Sequence, residues 1–395
     1  MNAELLYNIW LAVQVVIAIV LLFPVISYIV YELIPKKKKL IPDAEPGDYA
    51  FIVTAYMHTG NLDNVIGSLL KTDHPNFMIY VVADNCPPYE YHDSSGRVVI
   101  LHPQPALTNQ VKSHFYAIEN FKRDHNRLVI IDSDNLLEPG FLKAIDPWFS
   151  KGYEAVQGVR TAKNHNTPLA CLDAINELYY LFYDRKILFA IGSSSMLSGS
   201  GMAFTTRLYK KCLGNSNTSG AGFDKVLQYA ILSSGYRIAF EEKAIVFDEK
   251  TAHADQLVKQ RARWNNTWFR FFPFSLKLMG QGLLKLSLNR FLFGFILFRP
   301  PLFILVILTG ILIILNLFAN PLLSLYWIAA VMIFISGFFL ALRRMNAPPE
   351  LYRALKYIPK FIMLQVRSLF KAKKANQFSV ATEHRYHKEI DEVGK

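Results

Sequence analysis

The chain has 395 residues, enough for two or three domains, and a hydrophobic fraction of 52%. Its positive mean hydropathy points to part of the chain lying in lipid, and a net charge of +12 leaves two basic-surface partners, nucleic acid or an anionic membrane. Cys86, Cys171 and Cys212 have neither metal-ligand spacing nor an obvious pairing, so they read as free thiols rather than a zinc or disulfide framework.

Leu5 to Tyr31 carries no charge, about 27 residues that can cross a bilayer with some tilt. Glu4 precedes this run and Lys36–Lys39 follow it, the reverse of a cleaved signal peptide. The expectation is an anchor (residues 1–39) whose C-terminal end is cytoplasmic. A soluble α/β domain follows, assigned to residues 40–266. It opens with a strand, Tyr49 to Tyr56, ending in small and polar residues that include Thr54 and Ala55. Leu62, Val65, Ile66, Leu69 and Leu70 have helical spacing, stopped by Thr72-Asp73-His74-Pro75. A second strand, Phe77 to Val82, runs into the loop Ala83–Pro87. Strand, helix and strand at this spacing form a βαβ unit, so the sheet begins parallel and a ligand belongs at the edge where its strands end. Asp84 lies on that edge, where a carboxylate suits hydrogen bonds from a nucleobase or ribose, or simply a turn. After a strand at Val98 to Leu101, Thr108–Lys112 leads into a helix expected over Phe115 to Phe121. Lys112 is placed either to reach a phosphate or to sit solvated at the helix start.

Arg127 to Asn135, RLVIIDSDN, reads as a fully buried strand ending in a cluster of acceptors. In extended backbone, residues two apart share a side, so Asp132 and Asp134 are expected to face one point. Paired carboxylates there suit Mg or Mn, which in turn would hold a diphosphate, and an acidic turn is the plainer alternative. Gln157–Arg160 reads as a buried strand end with a polar exit. Gly199-Ser200-Gly201 allows backbone to approach a ligand closely, or forms a tight turn. Gln260, Arg263 and Trp264 share a helical face by their spacing, and Arg261 or Arg263 can pair with pyrophosphate above the apolar floor of Trp264.

Residues 267–290 alternate aromatics with Arg270, Lys277, Lys285 and Arg290, which suits a helix lying in the membrane interface. Residues 291–344 are assigned to two membrane helices, the long uncharged run from Pro300 to Leu342 being broken at Asn320-Pro321 and closed by Arg343 and Arg344 on the same side as Lys36–Lys39. Residues 345–395 are read as a basic amphipathic helix over Leu351 to Lys374, kinked at Pro359, followed by a polar tail. Because the basic residues flank apolar segments, an anionic membrane surface accounts for the charge and nucleic acid is not needed.

The order of a strand ending in VTAY, then VVADN, N-x-x-K, DSDN, LSGSGMAF (Leu197 to Phe204), GFDKVL (Gly222 to Leu227) and QRARW (Gln260 to Trp264) resembles the membrane-embedded family 2 glycosyltransferases. These include cellulose, hyaluronan and poly-N-acetylglucosamine synthases and lipid glycosyltransferases. The resemblance covers roughly Tyr49 to Trp268. It implies a GT-A type α/β nucleotide-sugar-binding domain with a mostly parallel sheet, three transmembrane helices and interfacial amphipathic helices. Thr54, Ala55, Asp84 and Lys112 would contact the nucleotide sugar, Asp84 on the uracil and ribose side. Asp134 would bind Mg or Mn, and Asp132 would share the ion or contact the nucleotide. Gly199, Ser200 and Gly201 would line the donor and acceptor pocket, closed by Gln260, Arg263 and Trp264. Asp224 would be the general base. The family's usual E-D pair is reduced here by Phe223, and a helix-capping role for Asp224 is the alternative. The run Asp248 to Lys259 looks like a mobile gating loop, in which His253 either touches the diphosphate or is simply a solvent-exposed loop histidine.

The function implied is inverting, metal-dependent transfer of a sugar, from a UDP-hexose or UDP-N-acetylhexosamine, to a lipid-linked or growing polysaccharide acceptor. The expected setting is multi-pass in the plasma (inner) membrane with a cytoplasmic catalytic domain serving the cell envelope, and a homo-oligomer or partner subunit for export. The competing class is a membrane scaffold or sensor that binds a nucleotide sugar without turnover.

Overall fold

The computed structural model of the protein describes residues 3–35, 44–214, 221–375 and 389–392. The basic run Lys36–Lys39 and most of the polar tail lie outside the described residues.

After helix α1 (Ala3–Leu33), the chain alternates β1 (Tyr49–Tyr56), α2 (Leu62–Leu70), β2 (Phe77–Asp84), β3 (Val98–Leu101), α3 (Gln110–Glu119), β4 (Arg127–Asp132), β5 (Leu136–Leu137), α4 (Phe141–Ser150) and β6 (Ala155–Ala162). Next come α5 (Pro168–Tyr180), a π-helical segment Leu181–Ile187, α6 (Leu188–Ala190), β7 (Met202–Thr205), α7 (Thr206–Leu213), α8 (Phe223–Ser233) and β8 (Ile238–Asp248). The strands form one eight-stranded mixed sheet in the order β3-β2-β1-β4-β7-β6-β8-β5. β1 to β4 pair in parallel and β6 pairs in parallel with β8, while β7 and β5 run antiparallel to their neighbours.

The pleat explains why β1 and β4 have no polar face. Ala50, Ile52, Leu128 and Ile130 enter a core shared with α3, α7 and α8, whereas Tyr49, Phe51, Val53, Val129 and Ile131 enter a second core with α2 and α4. Both sides of each strand are therefore buried, and alternation gives way to a continuous apolar run. Each of the Val, Leu, Ile and Phe side chains among them contributes about 1.5–3 kcal/mol by leaving water.

β4 ends at Asp132 rather than continuing through Asp134. The N–H of Asn135 donates to the Asp132 carbonyl at 3.1 Å, closing a β-turn over Asp132–Asn135. The expected same-side placement of the two carboxylates by strand pleating is thus corrected: four consecutive turn formers end the strand and carry the chain into β5. The helix expected over Phe115 to Phe121 begins earlier, at Gln110, because the Asn109 side chain accepts from the N–H groups of Val111 and Lys112.

A buried ion cluster ties β6, α5, the π segment and β8 together. Glu177 accepts from Arg185 Nη1 at 2.6 Å and from Arg160 Nη2 at 3.2 Å. Asp248 accepts from Lys250 Nζ at 2.7 Å and lies 3.7 Å from Arg160 Nε. Burial works against the Glu177 and Asp248 charges, but Arg185, Arg160 and Lys250 hold Glu177 well below the usual carboxylate range, and Lys250 and Arg160 bring Asp248 below it.

The carboxyl-terminal half is helical: α9 (Ala254–Leu284), α10 (Leu288–Phe298), α11 (Leu302–Ala319), α12 (Pro321–Arg344), α13 (Pro349–Ala354) and α14 (Ile358–Lys371). α9 is unbroken across residue 266, so the Q-x-x-R-W segment and the aromatic-basic stretch form one helix about 46 Å long. The expected loop Asp248 to Lys259 is shorter than predicted, since Asp248 closes β8 and the helix starts at Ala254. The apolar run entered at residue 291 also divides differently. α10 packs against α9, and Arg299-Pro300-Pro301 separates it from α11, because consecutive prolines cannot continue a helix. In the tail, a 3-10 turn at Leu355–Tyr357 separates two helices and Pro359 occupies the first turn of α14, so no kink forms at Pro359. α14 rests on α9, with Asn265 Nδ2 donating to Ser368 Oγ at 2.8 Å.

Glu4–Leu33, Leu302–Ala319 and Pro321–Arg344 are long and apolar enough to cross a membrane. α1 runs parallel to α12: Asn320 Nδ2 meets Tyr7 Oη at 3.5 Å at one end, and Arg344 Nη2 meets Tyr28 Oη at 2.7 Å at the other. Between them Gln14 Oε1 accepts from Asn316 Nδ2 at 2.7 Å and from Trp327 Nε1 at 2.6 Å, all buried. Tyr183 of the π segment donates to the Gly337 carbonyl at 2.8 Å, and Val20, Leu21, Leu305, Trp327 and Phe334 belong to the same core as β1 and β4.

A Cβ at Gly337 would lie 2.5 Å from Val25 Cγ2, whereas one at Gly310 meets nothing within 4 Å. Gly337→Ala should lower the thermal stability of the detergent-solubilised protein by about 1–3 kcal/mol, and Gly310→Ala should leave it unchanged or raise it by up to about 1 kcal/mol. Glu177→Gln removes the carboxylate with which buried Arg185 pairs and should cost about 3–5 kcal/mol near neutral pH. Because the folded Glu177 titrates below its unfolded value of about 4.3, its contribution is present above that pH and lost as pH falls through the folded value. The difference between Glu177→Gln and the wild type, read by thermal unfolding across pH, should narrow only below about pH 4.

Candidate active site

The carboxyl ends of β1, β2 and β4 lie in register. Thr54 pairs with Asp132, and Tyr56 pairs with Asp84, so Thr54, Ala55, Asp84 and Asp132 reach one sheet edge. The turn after β4 adds Asp134, which is 5% exposed. Asp84 is 2% exposed, and its two oxygens accept from the N–H groups of Leu107 and Thr108 at 2.8 and 2.7 Å. Its carboxylate therefore shapes the loop before α3. That loop delivers Lys112, exposed in the first turn of α3, and Gln110, whose Nε2 lies 3.4 Å from Asp132 Oδ1. Gln110 is a contact that the sequence reading did not single out.

The Gly199-Ser200-Gly201 segment stands beside Asp132. Ser200 Oγ accepts from the Asp132 N–H at 3.1 Å, and the Gly201 N–H donates to the Ile130 carbonyl at 3.0 Å. Gly199 and Gly201 both adopt positive φ, at +90° and +63°. Two fully buried glutamines fix this segment: Gln157 Oε1 accepts from the Ser198 N–H at 3.0 Å and Gln228 Oε1 from the Leu197 N–H at 3.3 Å. Gln157 lay in the expected polar strand exit. Gln228, one turn beyond Asp224, carries no sequence signal, because a glutamine within a helix is ordinarily surface.

Asp224 is the second residue of α8 and half-buried. It is not the helix cap: that position belongs to Gly222 at φ +97°, with no side-chain cap bond. Gly222 is required there twice over, by its backbone conformation and because a Cβ would lie 2.8 Å from Thr267 Cγ2 and 2.9 Å from Phe271 Cε2 of α9. The start of α8 is thereby pressed against α9. Lys225 Nζ approaches Asp224 Oδ2 at 3.3 Å.

The Q-x-x-R-W helix divides its side chains. Arg261 is buried, ion-paired to Asp173 of α5, with its guanidinium 4.2 Å over the Trp264 ring. It is thus committed to packing, and the option of Arg261 on a pyrophosphate is withdrawn. Arg263 is half-buried, and burial pulls its guanidinium below the ordinary value. Gln260 is half-buried beside Thr251, and Trp264 is 40% exposed. Trp268 donates from Nε1 to the Arg299 carbonyl at 3.0 Å, binding α9 to the α10–α11 junction. His253 is exposed immediately before α9. The three cysteines are free thiols.

Asp132 and Asp134 supply hard carboxylate oxygens, the donor type Mg and Mn take. Among the described residues no group of three or more His, Cys, Asp or Glu side chains could hold a metal ion. Two carboxylates alone do not fill the shell of such an ion, so other oxygens, from a bound ligand or water, would have to complete it.

A family profile described as glycosyltransferase like family 2 matches residues 46–267. Among solved structures, the mannosyltransferase PcManGT from Pyrobaculum calidifontis, in complex with GDP-Man and Mn2+, is similar with a TM-score of 0.53 at 13% identity, covering 91% of this chain and 98% of that one. TarS 1-349 of S. aureus, in complex with UDP-GlcNAc, gives a TM-score of 0.45 at 13% identity, covering 83% of this chain and 90% of that one. The comparison with curated proteins gives no match. The mixed, mostly parallel sheet is the GT-A fold, and with the profile spanning more than half of its residues the chain belongs to glycosyltransferase-like family 2 and is a glycosyltransferase.

Proposed function

We propose that the protein is an inverting, metal-dependent membrane glycosyltransferase. It moves a hexose or N-acetylhexosamine from a UDP-sugar to a lipid-linked or growing glycan acceptor. The observation that carries this reading is the meeting of Asp132, Asp134 and the Ser200 segment at one sheet edge, within a family 2 domain whose core continues into three apolar helices. The structural neighbour in complex with GDP-Man and Mn2+ supports a nucleotide-sugar donor and a divalent ion.

Asp224 is the base. It takes the proton of the acceptor hydroxyl as that oxygen bonds to the anomeric carbon, and the bond to the diphosphate oxygen breaks on the opposite face. Asp134 and Asp132 hold Mg or Mn, which when bound supplies Lewis-acid neutralisation of the leaving diphosphate. Arg263 and Gln260 face the diphosphate, Lys112 the nucleotide phosphates, and Trp264 the sugar or acceptor. Asp84 acts on the nucleotide through the Leu107–Thr108 loop that it orders. The domain faces the cytoplasm: Arg343 and Arg344 end α12, and the lysine run 36–39 follows α1 in the sequence. Three spans suit single transfer to a lipid acceptor, since a polymer channel would need more helices from a partner or a second copy.

The test is a labelled donor panel of UDP-glucose, UDP-N-acetylglucosamine and GDP-mannose, with native lipid extract and Mn2+ or Mg2+. Transfer from a UDP-sugar into a lipid-extractable product is expected; chelation should abolish it and added metal restore it. Asp224→Asn should lower the transfer rate by about 100- to 10,000-fold with nucleotide binding unchanged. A wild-type rate in Asp224→Asn would remove the base assignment, and long polymeric products would remove single transfer.

A further inference from the structure

Asn135 follows directly after Asp134 and is fully buried. Its side-chain Nδ2 donates to two carboxylates, Asp134 Oδ1 at 3.1 Å and Asp248 Oδ1 at 3.2 Å. The β-turn does not need this arrangement, since it is closed by the Asn135 main-chain N–H. A planar amide has two protons in fixed directions, so giving one to each carboxylate sets the orientation of Asp134 relative to the end of β8. The backbone at Asp134 is held separately, by Lys163 Nζ on its carbonyl at 2.9 Å.

Two carboxylates on one amide would repel each other if Asp248 were left uncompensated. Lys250 and Arg160 engage its other oxygen, at 2.7 and 3.7 Å. Lys250 is itself fixed through its backbone, its N–H donating to Asn164 Oδ1 at 2.7 Å and its carbonyl accepting from Asn164 Nδ2 at 3.1 Å. The side chain of Asp134 thus answers to the segment between β8 and α9.

We infer that Asn135 and Asp248 are positioning residues that hold the Asp134 carboxylate in the orientation from which it binds the divalent ion. This rests on the assignment of Asp134 as a metal ligand. Hydrogen-bonded partners of metal ligands change metal affinity by about 10- to 100-fold when removed, a far larger effect than packing at a distance would have on an ion.

The test uses the full chain in detergent. Mn2+ binding is read by electron paramagnetic resonance of free Mn2+, alone and with UDP or GDP, alongside the Mn2+ dependence of transfer. Asn135→Leu, which fills the site without donors, should weaken Mn2+ affinity about 10- to 100-fold and raise the Mn2+ needed for half-maximal rate, with kcat at saturating Mn2+ largely kept. Asp248→Asn retains an acceptor for the Asn135 amide and should stay within a few-fold of wild type, whereas the charge-balanced pair Asp248→Leu with Lys250→Met should resemble Asn135→Leu. Asn135→Ser, with one donor, should show a smaller loss of the same sign and serves if Asn135→Leu does not fold. Asp134→Ala separates the two ideas. If Asp134→Ala loses Mn2+ while folded Asn135→Leu or Asn135→Ser binds it within twofold of wild type, the positioning role is refuted and the metal assignment stands. If Asp134→Ala binds Mn2+ normally, both fall.

Discussion

Arg160 is a cation taken out of water at the end of β6, and much of the site's arrangement depends on how its charge is met. Burial opposes the charge, while Asp248, Glu177 and Asp132 together overcome that and push its guanidinium above the ordinary value. Glu177 in turn requires Arg185, and Asp248 requires Lys250. Residues far apart in the chain therefore close a single compensated cluster. An ion pair of this kind is a weak source of stability but a strict constraint on geometry, because any misalignment leaves a charge buried without a partner. The constraint falls on the end of β8 and the segment leading into α9, the elements that must be placed relative to Asp134.

The same cluster reaches the apolar helices. Arg185 belongs to the π segment, whose neighbour Tyr183 bonds to the Gly337 carbonyl and whose Asp184 pairs with Arg299 at 2.8 Å, just before α11. A π segment widens the helix by one residue per turn, and such segments are frequent at functional sites. Here it lets successive residues turn to different partners: the apolar helix α12, the α10–α11 junction, the ion cluster and, through Lys186, Glu242 of β8. The catalytic domain and the apolar helices share one hydrophobic core, so they are parts of one packed body rather than a domain on a tether.

Much of this was legible in the sequence where one interaction dominates locally. The unbroken apolar run Leu128–Ile131 announced a strand buried on both faces, and the βαβ spacing of Tyr49 to Val82 announced the parallel edge that collects Asp84 and Asp132. The spans were found as elements, but their limits moved where prolines intervened, at Arg299-Pro300-Pro301. What the sequence could not disclose was pairing at a distance. Asp248 looks like any residue leaving a strand, and Asp173 like any helical acid, until the fold sets the first beside Asn135 and the second beside Arg261. Asp132 and Asp134 are related by a turn and not by the pleat of an extended strand, because four turn-forming residues in a row end β4.

The two arginines of QRARW illustrate how a motif acquires its roles. On a helix, positions two apart are separated by about 200°, so Arg261 and Arg263 cannot serve one target. Arg261 is committed towards α5 and α14 by Asp173 and the Phe361 ring. Arg263 must then look the other way, on the face it shares with Gln260 and with Thr267, one turn on, whose Oγ1 donates to the Arg263 carbonyl at 2.8 Å. Thr267 is the residue pressed against Gly222, two positions before Asp224. The face carrying Arg263 is therefore the face that meets the start of α8. Burial already disfavours the Arg263 charge, so an anion brought to that face gains more than it would from an arginine in open water. Trp264, stacked on the committed Arg261, is an exposed ring whose position Arg261 fixes.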